Sequence, residues 1–112
     1  MREGIRPTRS LIMPNAVWMA SDLTSTEKMI LSEIIFLQDY GEAHKNKVCC
    51  WADNFYFMGV FGISKRQASQ SISNLAQKGY IEARYSNHNE RILVYNYEKC
   101  FATEIKLGKP KN

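Results

Sequence analysis

The sequence predicts an α+β fold, mainly helical, in which three helices lead into a β-hairpin. Three observations carry that prediction. Two apolar-periodic segments each open on a capping box, Thr24 with Glu27 and Ser64 with Gln67. A short aromatic segment, Asp53 to Phe61, sits just ahead of the second box. Two β-rich runs, Tyr80 to Ser86 and Arg91 to Tyr97, flank the turn-forming Asn87-His88-Asn89.

The 112 residues suffice for one domain and are too few for two. With 45% hydrophobic and 23% charged residues, the chain has the profile of a folded protein, not a disordered one. No apolar run approaches the roughly 18 residues that span a bilayer. The basic start, Met1 to Ser10, is followed by no long apolar stretch and is not expected to be a secretory signal. A cytoplasmic location is therefore expected, without membrane association.

Residues 1–10 read as a basic arm. Leu11 to Met19 is apolar but broken by Pro14 and Asn15, which predicts a short extended segment. The first helix starts after Thr24 and carries Ile30, Ile34 and Leu37 at i, i+4 and i+7, widened by Leu31 and Ile35. Gly41 predicts its end near Tyr40. A polar loop, Glu42 to Lys47, leads to Val48-Cys49-Cys50-Trp51, a short extra strand. Asp53 to Phe61 reads as a short helix ended by Gly62; a buried strand is the alternative, because aromatics favour strands. A third helix opens at Ser64, carries the stripe Ala68-Ile72-Leu75, and closes at Gly79. The last two helices, joined by a tight glycine-containing turn, form a helix-turn-helix. A hairpin directly after it is the order of a winged helix-turn-helix. The expected domain spans 11–98, with a basic tail over 99–112.

The net charge of +4 favours a polyanionic partner, and its distribution says more. From Asn54 to Ile81 there is no acid, whereas Lys65, Arg66 and Lys78 fall there. Arg2, Arg6 and Arg9 cluster in the arm, opposed by Glu3, and Lys106, Lys109 and Lys111 in the tail. Acids concentrate at Asp22, Glu27, Glu33, Asp39 and Glu42, suggesting a basic face and an acidic back. With Ala68-Ile72-Leu75 inward, Arg66, Gln70, Ser73 and Gln77 face outward, flanked by Gln67, Ser69 and Asn74. Arg pairs with guanine, and Gln or Asn with adenine, in the major groove. A merely solvated helix would mix Glu with Lys, and this one has no acid at all. Lys65 and Lys78, at the two ends, read as phosphate partners. On the hairpin, Arg84, Asn87, His88, Asn89 and Arg91 are candidate contacts, with Glu90 a misfit beside phosphate.

No catalytic constellation is visible: no phosphate-cradling glycine loop, no nucleophile elbow and no metalloprotease helix. An odd set of cysteines, Cys49, Cys50 and Cys100, argues against a disulfide framework. With His44 and His88 they fit no zinc spacing. Neither an enzyme, a cofactor, a metal nor a small-molecule ligand is expected.

Four stretches carry a family resemblance: Leu23-Thr24-Ser25-Thr26-Glu27-Lys28, Val48-Cys49-Cys50-Trp51-Ala52-Asp53-Asn54, Phe61-Gly62-Ile63-Ser64-Lys65-Arg66-Gln67-Ala68, and Asn74-Leu75-Ala76-Gln77-Lys78-Gly79-Tyr80-Ile81. Together they resemble the winged-helix DNA-binding domains at the N-termini of phage and plasmid replication initiators and replisome organisers. The same elements occur in winged-helix transcription regulators. The resemblance spans roughly residues 12–97. It implies that the helix beginning at Ser64 is the recognition helix, with Lys65, Arg66, Gln67, Ser69 and Gln70 foremost. Phe55-Tyr56-Phe57-Met58-Gly59 departs from the leucine- and alanine-rich pattern usual there. The expected partner is double-stranded DNA, with homodimerisation left open. A replication initiator is the leading expectation, a small repressor the first alternative, and a winged-helix protein-interaction module the alternative of another class.

Overall fold

The structure is a computed structural model that describes residues 11–45, 52–85 and 90–101. The chain runs α1 (Asn15–Trp18), α2 (Ser25–Lys45), α3 (Asn54–Phe61), α4 (Lys65–Gln77), β1 (Ile81–Tyr85), β2 (Arg91–Tyr95) and α5 (Tyr97–Cys100). It is mixed α+β and mainly helical, with one two-stranded antiparallel hairpin among the described residues. This arrangement is consistent with a winged-helix-like fold. Ile81 pairs with Tyr95 at the base of the hairpin and Tyr85 with Arg91 at its far end. The expected extra strand over 48–51 lies outside the described residues.

Local chemistry explains most of the element ends. Thr24 Oγ1 accepts from the Glu27 N–H at 3.1 Å, and Glu27 Oε1 accepts from the Thr24 N–H at 3.0 Å. This reciprocal box satisfies two groups that a helix start leaves without partners. Asp53 caps α3 by accepting from Tyr56 N–H, and Gly62 ends it in the left-handed region at φ 65°. At the end of α4, Gly79 sits at φ 85°. Its N–H donates to Ala76 O, and the Tyr80 N–H reaches back to Leu75 O, closing a Schellman motif. Tyr80 and Leu75 are both buried, as that motif favours.

Three boundaries differ from the sequence reading. Residues 15–18, expected to be extended, make one helical turn after Pro14; the Trp18 N–H bonds Pro14 O, and Val17 is fully buried. Pro14 stands just outside the turn as its N-cap, with extended backbone, and burial of Val17 holds the turn in place. Helix α2 continues through Gly41 to Lys45. An interior glycine costs about 1 kcal/mol, too little to end a helix so firmly anchored at its other end. Helix α5 spans the boundary drawn at residue 98, and Cys100 lies in the core, where burial pushes its thiol up to about 12.

Helix α2 is the centre of the domain, packing against α1, α4 and β2. Residues 30–35 are buried without interruption, so this stretch is enclosed on every side. Two polar residues fall within it and both find partners, as buried polar groups must. Ser32 Oγ donates to Lys28 O at 2.8 Å. Glu33 Oε2 accepts from the Tyr56 hydroxyl of α3 at 2.6 Å. Around α2 close Phe57, Ala68, Ile72, Leu75, Ile81 and Leu93.

Two substitutions test this packing. Leu75→Ala, at a fully buried site, should destabilise the domain by about 2–5 kcal/mol in urea unfolding. Gly59→Ala should stabilise it, by up to about 1 kcal/mol, because a methyl group there meets open space and α3 gains helix propensity. A loss of stability with Gly59→Ala would show that α3 is not the regular helix described.

Candidate nucleic-acid interface

Helix α4 owes its orientation to its inward stripe. Ala68, Ser71, Ile72 and Leu75 are buried, and the opposite face is exposed. Ser64, Lys65, Arg66, Gln67, Ser69, Gln70 and Ser73 all lie on exposed positions along it. Two of these have a structural task. Ser64 Oγ accepts from the Gln67 N–H at 3.1 Å, and Gln67 Oε1 from the Ser64 N–H at 3.0 Å. The side chains of Lys65, Arg66, Ser69 and Ser73 make no hydrogen bond or ion pair with another described residue.

The first turn of α4 contains no acid, and its first two residues are Lys65 and Arg66. This opposes the helix dipole, whose positive end favours carboxylates by about 0.3–1 kcal/mol each. Two cations and the free N–H groups of the turn together make a place where an anion is favoured.

Further along, the face is tied to the interior. Gln70 Nε2 donates to Asn74 Oδ1 at 3.1 Å. Asn74 Nδ2 donates in turn to Glu27 Oε2 at 2.8 Å. Asn74, expected to contact DNA, is thus half-buried and engaged by a carboxylate 47 positions away in the sequence. Lys78, expected to meet phosphate, is exposed and also donates to the Asp22 carbonyl and to Glu27 Oε1, the latter at 3.4 Å. Tyr80 continues this cluster. Its hydroxyl donates to Asp22 Oδ1 at 2.8 Å, and burial with that bond raises its pKa to about 12.

The hairpin arginines differ from each other. Arg84 is exposed on β1 and pairs with Glu82 at 2.8 Å, holding that carboxyl below its usual range. An exposed pair of this kind is weak, and an anion could compete for the guanidinium. Arg91, expected as a candidate contact, is half-buried and engaged within the domain. It donates to Asn54 Oδ1 at 2.8 Å and Ala52 O at 3.0 Å, joining the hairpin to the start of α3. Asn87, His88 and Asn89, the arm residues Arg2, Arg6 and Arg9, and the tail residues Lys106, Lys109 and Lys111 lie outside the described residues.

Glu27 is the residue whose importance sequence reasoning missed. It was visible there as the third position of a capping box. Only the fold brings Asn74 and Lys78 to its remaining lone pairs. Burial acts to raise its pKa, but the donors Asn74 and Thr24 N–H, together with the Lys78 charge, outweigh burial and lower it.

No family model and no curated protein matches the sequence. A solved structure described as the N-terminal domain of a DNA binding protein is similar in fold, with a TM-score of 0.58 at 12% identity. The match covers 92% of this chain and 90% of that one. Among the described residues, no helix is long and apolar enough to cross a membrane.

The lowered Glu27 pKa sets a pH dependence. Its contribution is fully present above the unfolded value, about 4.3, and is lost as pH falls through the lower folded value. Glu27→Gln should therefore reduce stability by on the order of 1–3 kcal/mol at neutral pH. The gap between wild type and variant should narrow below about pH 4. Chemical denaturation across that range checks both; a gap that widens on acidification would reverse the sign assigned here.

Proposed function

We propose that this chain is a sequence-specific, double-stranded DNA-binding protein of winged-helix type, inserting α4 into the major groove. The observation that carries the reading is the exposed face of α4: two cations on its first turn, no acid along its length, and short polar side chains between. Such a face carries net positive charge with no acid to offset it, which suits a polyanion. Arg66 and Gln70, one turn apart, would read base edges, with Lys65 on phosphate. Arg84 would reach a backbone phosphate by exchanging Glu82 for it. The similar fold of a DNA binding protein's N-terminal domain supports the reading.

The motif resemblance favours the DNA-binding domain of a phage or plasmid replication initiator. A small transcriptional regulator would use the same surface and is the second reading. A protein-interaction module would instead want an apolar face on α4, which is polar; exposed Ile12, Trp18 and Met19 favour a protein contact elsewhere. In this reading the protein acts in the cytoplasm by binding, without catalysis or a cofactor.

Selection from a random duplex pool, followed by anisotropy titrations, tests the reading. Affinity should fall steeply with salt as counterions are released. Arg66→Ala and Gln70→Ala should each weaken the selected site by about 1–3 kcal/mol and a scrambled duplex much less. Lys65→Ala should weaken both alike. Absence of duplex binding at low salt would refute the proposal, and equal losses on both duplexes would refute base reading by α4.

A further inference from the structure

The hydrogen-bond chain from Glu27 to Gln70 has a polarity, and that polarity has a consequence at the exposed end. Glu27 is 2% exposed and its carboxylate can only accept. Oε1 is taken by the Thr24 N–H and by Lys78, and Oε2 faces Asn74. Asn74 must therefore turn its amide nitrogen inward, which leaves its oxygen towards Gln70, four residues earlier on the same face. Gln70 must in turn give that oxygen an N–H. What remains of the Gln70 amide is its oxygen and its second N–H. Both belong to an exposed side chain.

We propose that buried Glu27 is a positioning residue for base selection, orienting the Gln70 amide through Asn74 so that α4 prefers adenine at one position of its site. The proposal rests on the DNA-binding reading above. An outward oxygen beside an outward N–H matches the N6 amino group and N7 of adenine. Guanine offers two acceptors there, O6 and N7, and would leave the Gln70 oxygen facing O6. A free glutamine could rotate its amide to suit either base. Here rotation is opposed, because it would place two amide nitrogens, or two oxygens, face to face along the chain. The energy of the buried carboxylate is thereby carried to a surface that Glu27 never touches.

Glu27→Gln tests this directly, because it reverses the chain without altering the surface. The Thr24 N–H and Lys78 are both donors, so the new amide keeps its oxygen towards them and turns its nitrogen to Asn74. Asn74 then turns its oxygen inward and its nitrogen towards Gln70, which accepts with its own oxygen. The Gln70 amide hydrogens are left outward, facing the two acceptors of guanine. Duplex pools would be selected with wild type, Glu27→Gln and Gln70→Ala, the last marking which position Gln70 reads. Wild type should prefer adenine there by roughly 5- to 100-fold. Glu27→Gln should move the preference to guanine and leave affinity for random duplex within about 2-fold. If Glu27→Gln does not fold, Asn74→Ala serves: it leaves the Thr24 and Lys78 bonds to Glu27 in place and frees Gln70. The adenine preference should then collapse to about 2-fold or less. An unchanged adenine preference in the folded variant overturns the proposal while DNA binding stands. Failure of the wild type to bind duplex overturns the DNA-binding reading, and this inference with it.

Discussion

One buried carboxylate, Glu27, holds three parts of this domain in a fixed relation. It closes the capping box of α2, accepts from Asn74 in the second half of α4, and faces Lys78 just beyond that helix. An ionised group out of water is tolerated only where donors replace its hydration. That requirement makes the arrangement demanding, since displacing α4 would strand the charge. The apolar stripe of α4 says which side faces the core, but apolar contact is non-directional and tolerates sliding. The Glu27 bonds have defined lengths and angles, and so fix where along α2 the other helix sits.

The same division of labour recurs along α2. Its apolar residues form the core, and its polar residues reach one neighbour after another. Lys28 donates to the Trp18 carbonyl at the end of α1 and lies over the Trp18 ring. Glu33 accepts from Tyr56 of α3. Gln38 Oε1 accepts from the Tyr95 N–H of β2, and Asp39 from the Tyr95 hydroxyl. A small domain buries a modest share of its surface, so its apolar core alone specifies the mutual placement of elements weakly. Directional bonds from one central helix supply that specification.

The exposed face of α4 departs from this internal consistency. Lys65 and Arg66 stand at the positive end of a helix dipole, with no acid in the turn to offset them. The Ser64–Gln67 capping box secures a helix start that its charges disfavour. A local choice that opposes stability, made on an exposed surface, is what a site for an anionic partner requires. The hairpin contributes differently: Arg91 is committed to α3, and Arg84 remains on an exposed edge.

The sequence by itself determined the elements whose signals are local. Capping residues and their partners lie three positions apart, the glycines after α3 and α4 sit where left-handed backbone is needed, and the stripe of α4 repeats with the helical period. Even Gly59, which costs a helix about 1 kcal/mol relative to alanine, did not hide α3, because Asp53 and Gly62 mark both of its ends. The end of α2 was not readable, since a glycine signal of about 1 kcal/mol yields to the rest of a long helix. The site was legible to the same extent. Its outward face followed from periodicity, so Arg66, Gln70 and Ser73 are exposed as expected. The fates of Asn74, Lys78 and Arg91 were decided only in the tertiary structure. Each has polar side-chain groups that suit water, a nucleic acid or another part of the chain equally well. Their partners, Glu27 and Asn54, lie 47, 51 and 37 positions away. Nothing local to a side chain indicates which acceptor the folded chain will bring to it; that depends on how helices pack, and packing is a property of the whole core.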